Sequence, residues 1–577
     1  MKVNSGIAGV FWIVLSATAF GGGPKGPDMS ITLDPSKPAF KDQRKSRTAP
    51  DIGYAGTIAD LGPEYFDAFF VKNPDATWHA FKAAGAHFVK EWNANKSWEV
   101  GRAYAALKTE EERAAFRKKH GGWWANTCGD PKIIYDWRKK HGVKVLLCLE
   151  QYGTYTDVKT GARAEDIESV KRSIVDFVRW IVDNGYRDQV AGFELGNEPF
   201  FCTEADSPEV HARRWAQIVP EIKRIFPECN IGIPVAEYRA GDPDIAAVRA
   251  RSTAVDKWFS GDKEFGFKRI NQWSGRFIVA FSNQLHNVSH VIYHFYGGDA
   301  AWGCGPAGYG RIRSFAKVFP EIKDKRVWIT EWRERSDEDV RCQQMHSSSI
   351  FKAHYMLSTI CQPEIDGICL HTASFLSGGF CITDGRRWHM QIDEVANHTY
   401  YDPDGLGLGN LRIVEGPVGP VFKLYTEALM EHPLIYDHGV ADCGTITDKH
   451  YWSAAGFYAF YHKMVGWLSR GADPKKKPSN EGNAEWVLTM NPQKTSVTML
   501  VCNSMARVWK PKFTVKGYKI GKPHYRTFRC KEEHIFLHQI PGEPKPTWEE
   551  EYDGDVAAIE VPAYTIATIE FPIRRGR

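Results

Sequence analysis

The stretch Phe193-Glu194-Leu195-Gly196-Asn197-Glu198-Pro199 is a short apolar run that ends on a glutamate, and Val327-Trp328-Ile329-Thr330-Glu331-Trp332 repeats this pattern further along the chain. A buried strand that finishes on a carboxylate delivers a charged group to the end of a sheet or barrel. In barrels of parallel strands, the carboxyl ends of the strands form the face that carries the chemistry. The two stretches therefore predict strands whose glutamates meet at one rim.

The sequence around these stretches alternates helical patterns with short β-rich runs from about residue 50 to residue 395. One helical stripe, followed by Gly185 as a predicted cap, is formed by Ile167, Val170, Ile174, Phe177, Val178 and Ile181. Eight strands are predicted, one within residues 51–57 and the others at 88–90, 143–149, 190–195, 230–235, 291–295, 327–330 and 367–371. This alternation predicts parallel βαβ units closed into a (β/α)8 TIM barrel of the α/β class. No Gly-x-Gly-x-x-Gly turn follows an early strand, which argues against a dinucleotide-binding fold.

The pattern changes after about residue 420. Short strand-like runs at 486–488, 496–501, 512–515 and 565–571 are separated by turns rich in Gly, Pro and Lys, and only residues 457–467 have a helical period. These features predict an all-β sandwich domain. The predicted division is a signal peptide at 1–19, an N-terminal segment at 20–49 that is a candidate to add a strand to the sandwich, a catalytic barrel at 50–400 and the sandwich at 401–577.

The composition narrows the classes of function. A net charge of +4 over 577 residues is too small to indicate a nucleic-acid-binding protein. The 20 Trp, 23 Tyr and 32 Phe residues exceed ordinary usage and suit both a core and a cleft that stacks on sugar rings. The start Met1-Lys2, the apolar residues 7–15 and the small residues Ala17-Thr18-Ala19 predict an export signal, and hence a secreted, periplasmic or cell-surface protein. No later apolar stretch has the length of a membrane span.

The 12 cysteines show neither a zinc-binding spacing nor a dense disulfide framework. Cys148 and Cys369 fall inside predicted strands and are predicted to be packed thiols. Four cysteines near predicted loops of the active face are candidates for a disulfide that pins a loop: Cys202, Cys304, Cys342 and Cys381. We expect no metal ion and no cofactor.

A pair of carboxylates at one rim is what the hydrolysis of a glycosidic bond requires. One carboxyl group gives a proton to the leaving oxygen, and the other, ionised, attacks the anomeric carbon. Glu198 and Glu331 are the catalytic candidates. The alternative is that both are structural glutamates at strand ends.

The motifs resemble those of clan A glycoside hydrolases. Gly196-Asn197-Glu198-Pro199 is similar to the acid/base motif that ends barrel strand four in that clan, and Ile329-Thr330-Glu331-Trp332 is similar to the nucleophile motif that ends strand seven. His294-Phe295-Tyr296 resembles the His-x-Tyr that follows strand six in many members. The C-terminal sandwich resembles those of arabinofuranosidase-like and β-xylosidase-like relatives.

The resemblance implies a role for each matching residue. Glu198 is the expected acid/base, and Glu331 is the expected nucleophile of a retaining mechanism with a covalent glycosyl-enzyme intermediate. Asn197 is expected to contact the sugar 2-hydroxyl, and Tyr296 to orient the nucleophile. His294 is expected to line the same subsite.

Further substrate-binding candidates lie at other predicted strand ends. Trp92 follows strand two, Glu150 follows strand three, His371 ends strand eight, and Trp332 is either a sugar platform or a core ring behind the nucleophile. Weaker candidates are Gln151, Tyr152, Trp123, Trp124, Trp302 and Trp388. The chain departs from the family pattern at Lys90, where relatives often carry arginine, and at His371, where many carry tryptophan.

These observations favour a secreted retaining glycoside hydrolase that cleaves β-linked bonds of a polysaccharide or oligosaccharide. The alternatives are an exo-acting α-L-arabinofuranosidase or β-glycosidase, a transglycosylase with the same residues, and a catalytically silent carbohydrate-binding protein. The sugar, the linkage and the oligomeric state stay open. Lys90, Arg239 and Arg333 near predicted strand ends keep anionic sugars among the candidates.

Overall fold

The structure is a computed structural model. It describes residues 29–42, 52–55, 70–71, 74–75, 78, 82, 88–120, 129–151, 166–201, 208–235, 266–296, 316, 319–333, 346–371, 381–382, 414–415, 419–441, 484–505, 507–531, 534 and 547–576. The predicted domain boundary at residue 400, the predicted signal peptide and the predicted helix at 457–467 lie outside these residues.

The described strands, in chain order, are β1 (Ser30–Leu33), β2 (Lys41–Asp42), β3 (Ile52–Ala55), β4 (Phe88–Glu91), β5 (Lys144–Leu149), β6 (Val190–Leu195), β7 (Ile231–Pro234), β8 (His290–Tyr296), β9 (Arg326–Arg333), β10 (Ile365–His371), β11 (Cys381–Ile382), β12 (Val414–Glu415), β13 (Leu434–Ala441), β14 (Ala484–Met490), β15 (Ser496–Asn503), β16 (Lys512–Val515), β17 (Tyr518–Ile520), β18 (His524–Cys530), β19 (Thr547–Asp553) and β20 (Thr565–Arg575). The described α-helices are α1 (Ala94–Ala105), α2 (Glu110–His120), α3 (Pro131–His141), α4 (Ile167–Asp183), α5 (Pro208–Ile225), α6 (Gly266–Ala280), α7 (His346–Ile360) and α8 (Gly419–Glu431). Short 3-10 helices lie at Arg187–Gln189, Pro199–Phe201, Ser282–Asn287 and Pro320–Ile322.

Strands β3 to β10 form a closed barrel in which every neighbouring pair is parallel. The first and last of these strands pair directly, with Gly53 opposite Cys369. This closure confirms the (β/α)8 barrel, and all eight predicted strands coincide with observed ones to within about three residues. Asn184 caps α4, and the predicted cap Gly185 follows it in the left-handed conformation with φ +70°.

The barrel interior is filled by side chains in layers, because every second residue of a strand points inward. One apolar layer contains Phe88, Leu146, Ala191, Ile292, Trp328 and Cys369, all fully buried. Trp328 is the largest of them. A Cβ atom on Gly192 would lie 2.4 Å from its ring, so the absence of a side chain at this position makes room for the indole.

The β domain is built on a large, mainly antiparallel sheet in the order β19-β18-β20-β15-β14-β13-β2, with β17 also paired to β20. Alternate residues of β15 pack into two different cores. Val497, Met499 and Val501 lie in the core on one side of the sheet, and Leu500 and Cys502 lie in the core on the other side. The first core is closed by the parallel pair β1 and β16, so the early segment at 30–33 lies in the β domain. The second core is continuous with the barrel. The predicted sandwich is therefore confirmed as the class of this domain.

Helix α8 was not expected, because the sequence predicts β structure in this region. Its buried residues surround the helix almost completely: Gly419, Pro420, Val421, Phe422, Leu424, Tyr425, Thr426, Ala428 and Leu429. A helix buried on most sides carries no clear amphipathic stripe, and its Gly-Pro start is typical of a turn. These two features explain why the sequence pattern does not indicate it.

Within the described part of the chain, no helix combines the length and the apolar character of a membrane span. Cys148 and Cys369 are buried inside barrel strands, as predicted. The disulfide candidates Cys202, Cys304 and Cys342 lie outside the described residues, and so does the side chain of Cys381.

A buried polar network joins the barrel to the β domain. Glu485 of β14 accepts hydrogen bonds from His354 of α7 at 2.7 Å and from His438 of β13 at 2.7 Å. His354 also contacts the Ser504 hydroxyl at 2.9 Å. Burial on its own would raise the pKa of Glu485, but the hydrogen bonds and charges of the two histidines lower it to about 2. The carboxylate is thus charged at the interface and fully enclosed.

This network predicts a loss of stability in acid. A carboxyl group whose pKa falls from 4.5 to about 2 on folding stabilises the fold fully above pH 4.5, and this contribution disappears as the pH falls towards 2. The contribution is on the order of 3 kcal/mol. In Glu485→Gln it is absent, so we expect the difference in unfolding free energy between wild type and variant to shrink as the pH falls below 4.5. Urea unfolding measured across this range tests it, and parallel profiles would contradict it.

Candidate active site

A polar layer lies directly above the apolar layer inside the barrel. Four of its residues stand two positions after a residue of the apolar layer: Lys90 after Phe88, Cys148 after Leu146, His294 after Ile292 and Thr330 after Trp328. Glu194 of β6 joins them, and all five are buried. Because side chains alternate along a strand, this layer is the floor of the carboxyl-terminal mouth of the barrel.

Lys90 is the centre of this floor. Its Nζ lies 3.1 Å from Glu194, 2.9 Å from Oδ1 of Asn197 and 2.9 Å from Oε1 of Glu331. Burial on its own would lower the pKa of the lysine, but the charges of Glu194 and Glu331 raise it far above its ordinary value. Lys90 is therefore a permanent cation whose hydrogen bonds fix Glu194 in the floor and Asn197 and Glu331 at the rim.

Glu331 and Glu198 face each other across the mouth, from the ends of β9 and β6. The facing oxygen atoms of the two carboxylates lie within 4.8 Å of one another. Glu331 is only 2% exposed, whereas the side chain of Glu198 is 16% exposed. One carboxylate is thus enclosed by protein, and the other borders the opening.

A β-bulge turns Glu331 towards the mouth. Tyr293 of β8 pairs with Ile329 and the next residue, His294, pairs with Glu331, so Thr330 is an extra residue in β9. Successive residues of a regular strand point to opposite faces, but a bulge redirects the side chain that follows it. Here both Thr330 and Glu331 lie within hydrogen-bond range of Lys90.

Glu198 reaches the mouth through a tight turn. Gly196 has φ +91° and Glu198 has φ +45°, in the left-handed region that non-glycine residues seldom occupy. Such a conformation persists only where surrounding contacts hold it, and it concentrates at functional sites. The turn tips the Glu198 side chain over the rim towards β8 and β9.

His294 lies between the two carboxylates. Its Nδ1 is 2.8 Å from Glu198 and 3.4 Å from Glu331, and its Nε2 is 2.9 Å from the hydroxyl of Thr330. Both contacts of Nδ1 are carboxylate oxygens, so Nδ1 carries a proton and donates it. Burial and Lys90 lower the pKa of His294, but Glu331 and the hydrogen bonds to Glu194 and Glu198 outweigh them and raise it to about 9.

The donor atoms of Glu198, His294 and Glu331 are close enough together to surround a cation. Two features of the site oppose that use. The proton on Nδ1 of His294 removes the lone pair that a metal would need, and the ammonium of Lys90 already neutralises Glu331 at 2.9 Å.

The other described candidates surround Glu331 and Glu198. The indole N–H of Trp92 donates to Oε1 of Glu331 at 2.7 Å, the same oxygen that Lys90 binds. Asn197 contacts Lys90 through Oδ1, so its NH2 group points away from the ammonium. Glu150 is 5% exposed and accepts a hydrogen bond from the backbone N–H of Asn197 at 2.7 Å. It lies beneath the rim.

Three candidates are placed by their backbone alone. Tyr296 ends β8, Trp332 lies next to Glu331 in β9, and His371 ends β10, but their side chains are outside the described residues. The same holds for the side chain of Arg333. The loop candidates Tyr152, Trp123, Trp124, Trp302, Trp388 and Arg239 lie outside the described part of the chain altogether. Gln151 is described and fully buried.

Two participants were missed by the sequence reasoning. Glu194 is a charged residue inside an apolar run, next to the strand end that is predicted to face the active site. This position is itself the signal that its side chain belongs to the site. Thr330 belongs to the predicted nucleophile motif, and its position two residues after Trp328 indicates an inward side chain.

The fold is similar to that of known α-L-arabinofuranosidases. The α-L-arabinofuranosidase of Thermotoga maritima matches with a TM-score of 0.54 at 12% identity, over 94% of this chain and 99% of that one. The family 51 α-L-arabinofuranosidase of Bifidobacterium longum matches with a TM-score of 0.55 at 12% identity, over 94% and 99% of the two chains. No protein-family model and no curated protein matches the sequence. The likeness confirms the barrel and β-domain fold that the resemblance to clan A implied.

Proposed function

We propose that this protein is a retaining glycoside hydrolase that uses Glu331 as nucleophile and Glu198 as acid/base. The observation that carries the proposal is the distance between the two carboxylates, whose facing oxygens lie within 4.8 Å. Retaining enzymes place their carboxyl groups about 5–5.5 Å apart, whereas inverting enzymes need about 6.5–9.5 Å to admit a water molecule. The spacing supports double displacement.

The surroundings of each glutamate support its role. Lys90 and Trp92 both donate to Oε1 of Glu331, which favours the ionised form and leaves the second oxygen to attack the anomeric carbon. Glu198 borders the opening and shares the Nδ1 proton of His294. This Glu198–His294 pair holds the proton that the leaving oxygen takes in the first step. Glu198 then removes a proton from the water that releases the sugar from Glu331.

Asn197 is oriented for contact with the substrate. Its Oδ1 accepts from Lys90, so the NH2 end of the amide is the group that remains to donate. This orientation supports a hydrogen bond to the sugar hydroxyl next to the anomeric carbon, a contact that strengthens in the transition state.

We propose α-L-arabinofuranosides as the first substrates to examine, and place β-linked glycosides second. The support is the fold, because three matching structures are arabinofuranosidases. No contact of the described site residues distinguishes α-L-arabinofuranosides from β-linked glycosides. The substrate panel therefore has to contain both classes.

Covalent labelling tests the proposal. Aryl 2-deoxy-2-fluoro glycosides of the arabinofuranosyl and β-xylopyranosyl series form slow-hydrolysing intermediates with retaining enzymes. We expect a mass increase of one fluoroglycosyl unit on the peptide that contains Glu331. Activity that inverts the anomeric configuration, seen by NMR of the first product, would overturn the assignment. Binding of glycans without label or turnover would instead favour the silent carbohydrate-binding protein.

Trp92→Phe tests the second donor to the nucleophile. The variant keeps an aromatic ring but loses the N–H bonded to Oε1 of Glu331. A hydrogen bond to a charged group contributes about 1.5–3 kcal/mol, so we expect kcat to fall at least tenfold. Steady-state kinetics measure this, with Trp548→Phe on β19 as control. An unchanged kcat would show that Lys90 alone suffices.

We also propose that the protein is exported. The support is the sequence at residues 1–19, with its apolar stretch and Ala17-Thr18-Ala19. N-terminal sequencing of protein recovered outside the cytoplasm should begin at residue 20. A start at residue 1 in such material would contradict cleavage.

A further inference from the structure

The backbone of the turn that carries Glu198 is hydrogen-bonded to the side chain of Glu150. Asn197 lies between two residues with positive φ, Gly196 and Glu198. Its backbone N–H donates to Oε1 of Glu150 at 2.7 Å, a short bond to a carboxyl group on the neighbouring strand end. Glu198 depends on this peptide for its direction, because a rotation of the Asn197 peptide moves the next residue.

Glu150 is itself fixed in place. Its backbone N–H donates to Oδ1 of Asn95 at 2.9 Å, and its carbonyl accepts from Nδ2 of the same residue at 3.2 Å. Asn95 is fully buried near the start of α1, and its Nδ2 also contacts the Ser173 hydroxyl of α4 at 3.1 Å. Two helices of the outer ring thus fix the residue that holds the Glu198 turn.

We propose that Glu150 is the positioning residue for the acid/base turn, and that gain or loss of its proton changes how firmly the turn is held. This inference rests on the proposed function. It assigns Glu150 a role below the substrate, in contrast to the sugar contact expected from the sequence. The burial of its carboxyl group and its bond to a backbone N–H favour the positioning role.

The charged groups around Glu150 determine which form is present. Cys148, near the end of β5, has its sulfur 3.7 Å from Oε1 of Glu150, and Glu194 and Lys90 face Glu150 from β6 and β4. Burial raises the pKa of Glu150 to about 7; the Asn197 N–H, the Cys148 contact and Lys90 oppose this, whereas Glu194 adds to it. The ionised form therefore accumulates as the pH rises through 7.

The two forms hold the turn differently. A hydrogen bond from an N–H to a carboxylate is roughly twice as strong as one to a neutral acceptor. The turn is held best above neutral pH, where Glu150 is charged. The expected signature is an increase in kcat/KM as the pH rises through about 7, which is absent when residue 150 cannot titrate.

Two substitutions separate these effects. Glu150→Gln keeps an oxygen acceptor for Asn197 but cannot titrate, and Glu150→Ala removes the acceptor. Glu168→Gln, an exposed residue in the first turn of α4, is the control. The substrates are a phenyl and a 2,4-dinitrophenyl glycoside of the same sugar. The dinitrophenolate group leaves without a proton, so kcat/KM for this substrate does not depend on the orientation of Glu198.

We expect Glu150→Ala to lower kcat/KM for the phenyl glycoside on the order of 10²-fold, the typical cost of a catalytic group displaced by about 1 Å. The loss for the dinitrophenyl glycoside should be under about tenfold. Glu150→Gln should recover most of the phenyl activity and lack the rise near pH 7. Equal losses on both substrates, or the wild-type pH profile in Glu150→Gln, would overturn the inference.

The controls keep this result separate from the proposed function. If Glu150→Ala fails to fold, the pH profile of Glu150→Gln decides alone. If the wild type is labelled at Glu331 but both Glu150 variants behave like Glu168→Gln, only the role of Glu150 is contradicted. A wild type without label or turnover would remove the proposed function, and this inference with it.

Discussion

Glu331→Gln is expected to lose activity on the order of 10⁴-fold or more, because no other described group can attack the anomeric carbon from its position. The amide has nearly the shape of the carboxyl group and can accept from Lys90 and Trp92, which lie 2.9 and 2.7 Å from Oε1 in the wild type. Lys90 keeps Glu194 as a charged partner at 3.1 Å, so the fold should persist. The measurement is kcat/KM on a dinitrophenyl glycoside, together with the thermal midpoint.

Stereochemistry makes this prediction specific. Glu331→Ala leaves space where the carboxylate was, and added azide can enter it and attack the sugar once. One displacement inverts the anomeric centre, whereas the wild type, with two, retains it. We therefore expect azide to restore turnover and give a glycosyl azide of inverted configuration. A retained azide product would assign the acid/base role to Glu331 and contradict the mechanism as proposed.

The barrel strands were predictable because their signals are local. Each strand is a short apolar run bounded by turn residues. Glu198, three residues after β6, and Glu331, near the end of β9, follow such runs in the sequence itself. Parallel strands must align their carboxyl ends, so the meeting of Glu198 and Glu331 follows from topology. Helix α8 was missed for the opposite reason, because a helix buried on nearly every side lacks the local stripe that indicates one.

The connections within the site were not predictable from the sequence. Lys90 contacts Glu194, Asn197 and Glu331, which lie more than 100 residues away along the chain. The arginine that the family pattern expects at this position does not indicate which acceptors the ammonium group of the shorter Lys90 side chain contacts. The bulge at Thr330 is equally hidden, since it depends on how β9 pairs with its neighbours. The sequence predicts a sugar contact for Glu150 but does not indicate its hydrogen bond from the backbone N–H of Asn197, because that partner appears only in three dimensions.

Glu198→Ala is expected to separate the two halves of the reaction. For a phenyl glycoside, which needs a proton on its leaving oxygen, kcat/KM should fall about 10²–10⁴-fold. For a dinitrophenyl glycoside the first step should stay nearly as fast as in the wild type, because that leaving group departs as a stable anion. The second step lacks its base, so the glycosyl-enzyme on Glu331 should accumulate and KM should fall together with kcat.

Azide again reports the role of the altered residue. In Glu198→Ala the nucleophile Glu331 is intact, so azide attacks the glycosyl-enzyme as a second displacement and needs no base. We expect faster turnover and a glycosyl azide of retained configuration, the mirror of the Glu331→Ala result. The variant also removes the carboxylate that lies 2.8 Å from Nδ1 of His294, and Glu331 remains 3.4 Å from the same atom. If phenyl and dinitrophenyl glycosides lost activity equally and azide had no effect, Glu198 would be a structural residue of the turn and the proton would have to come from elsewhere.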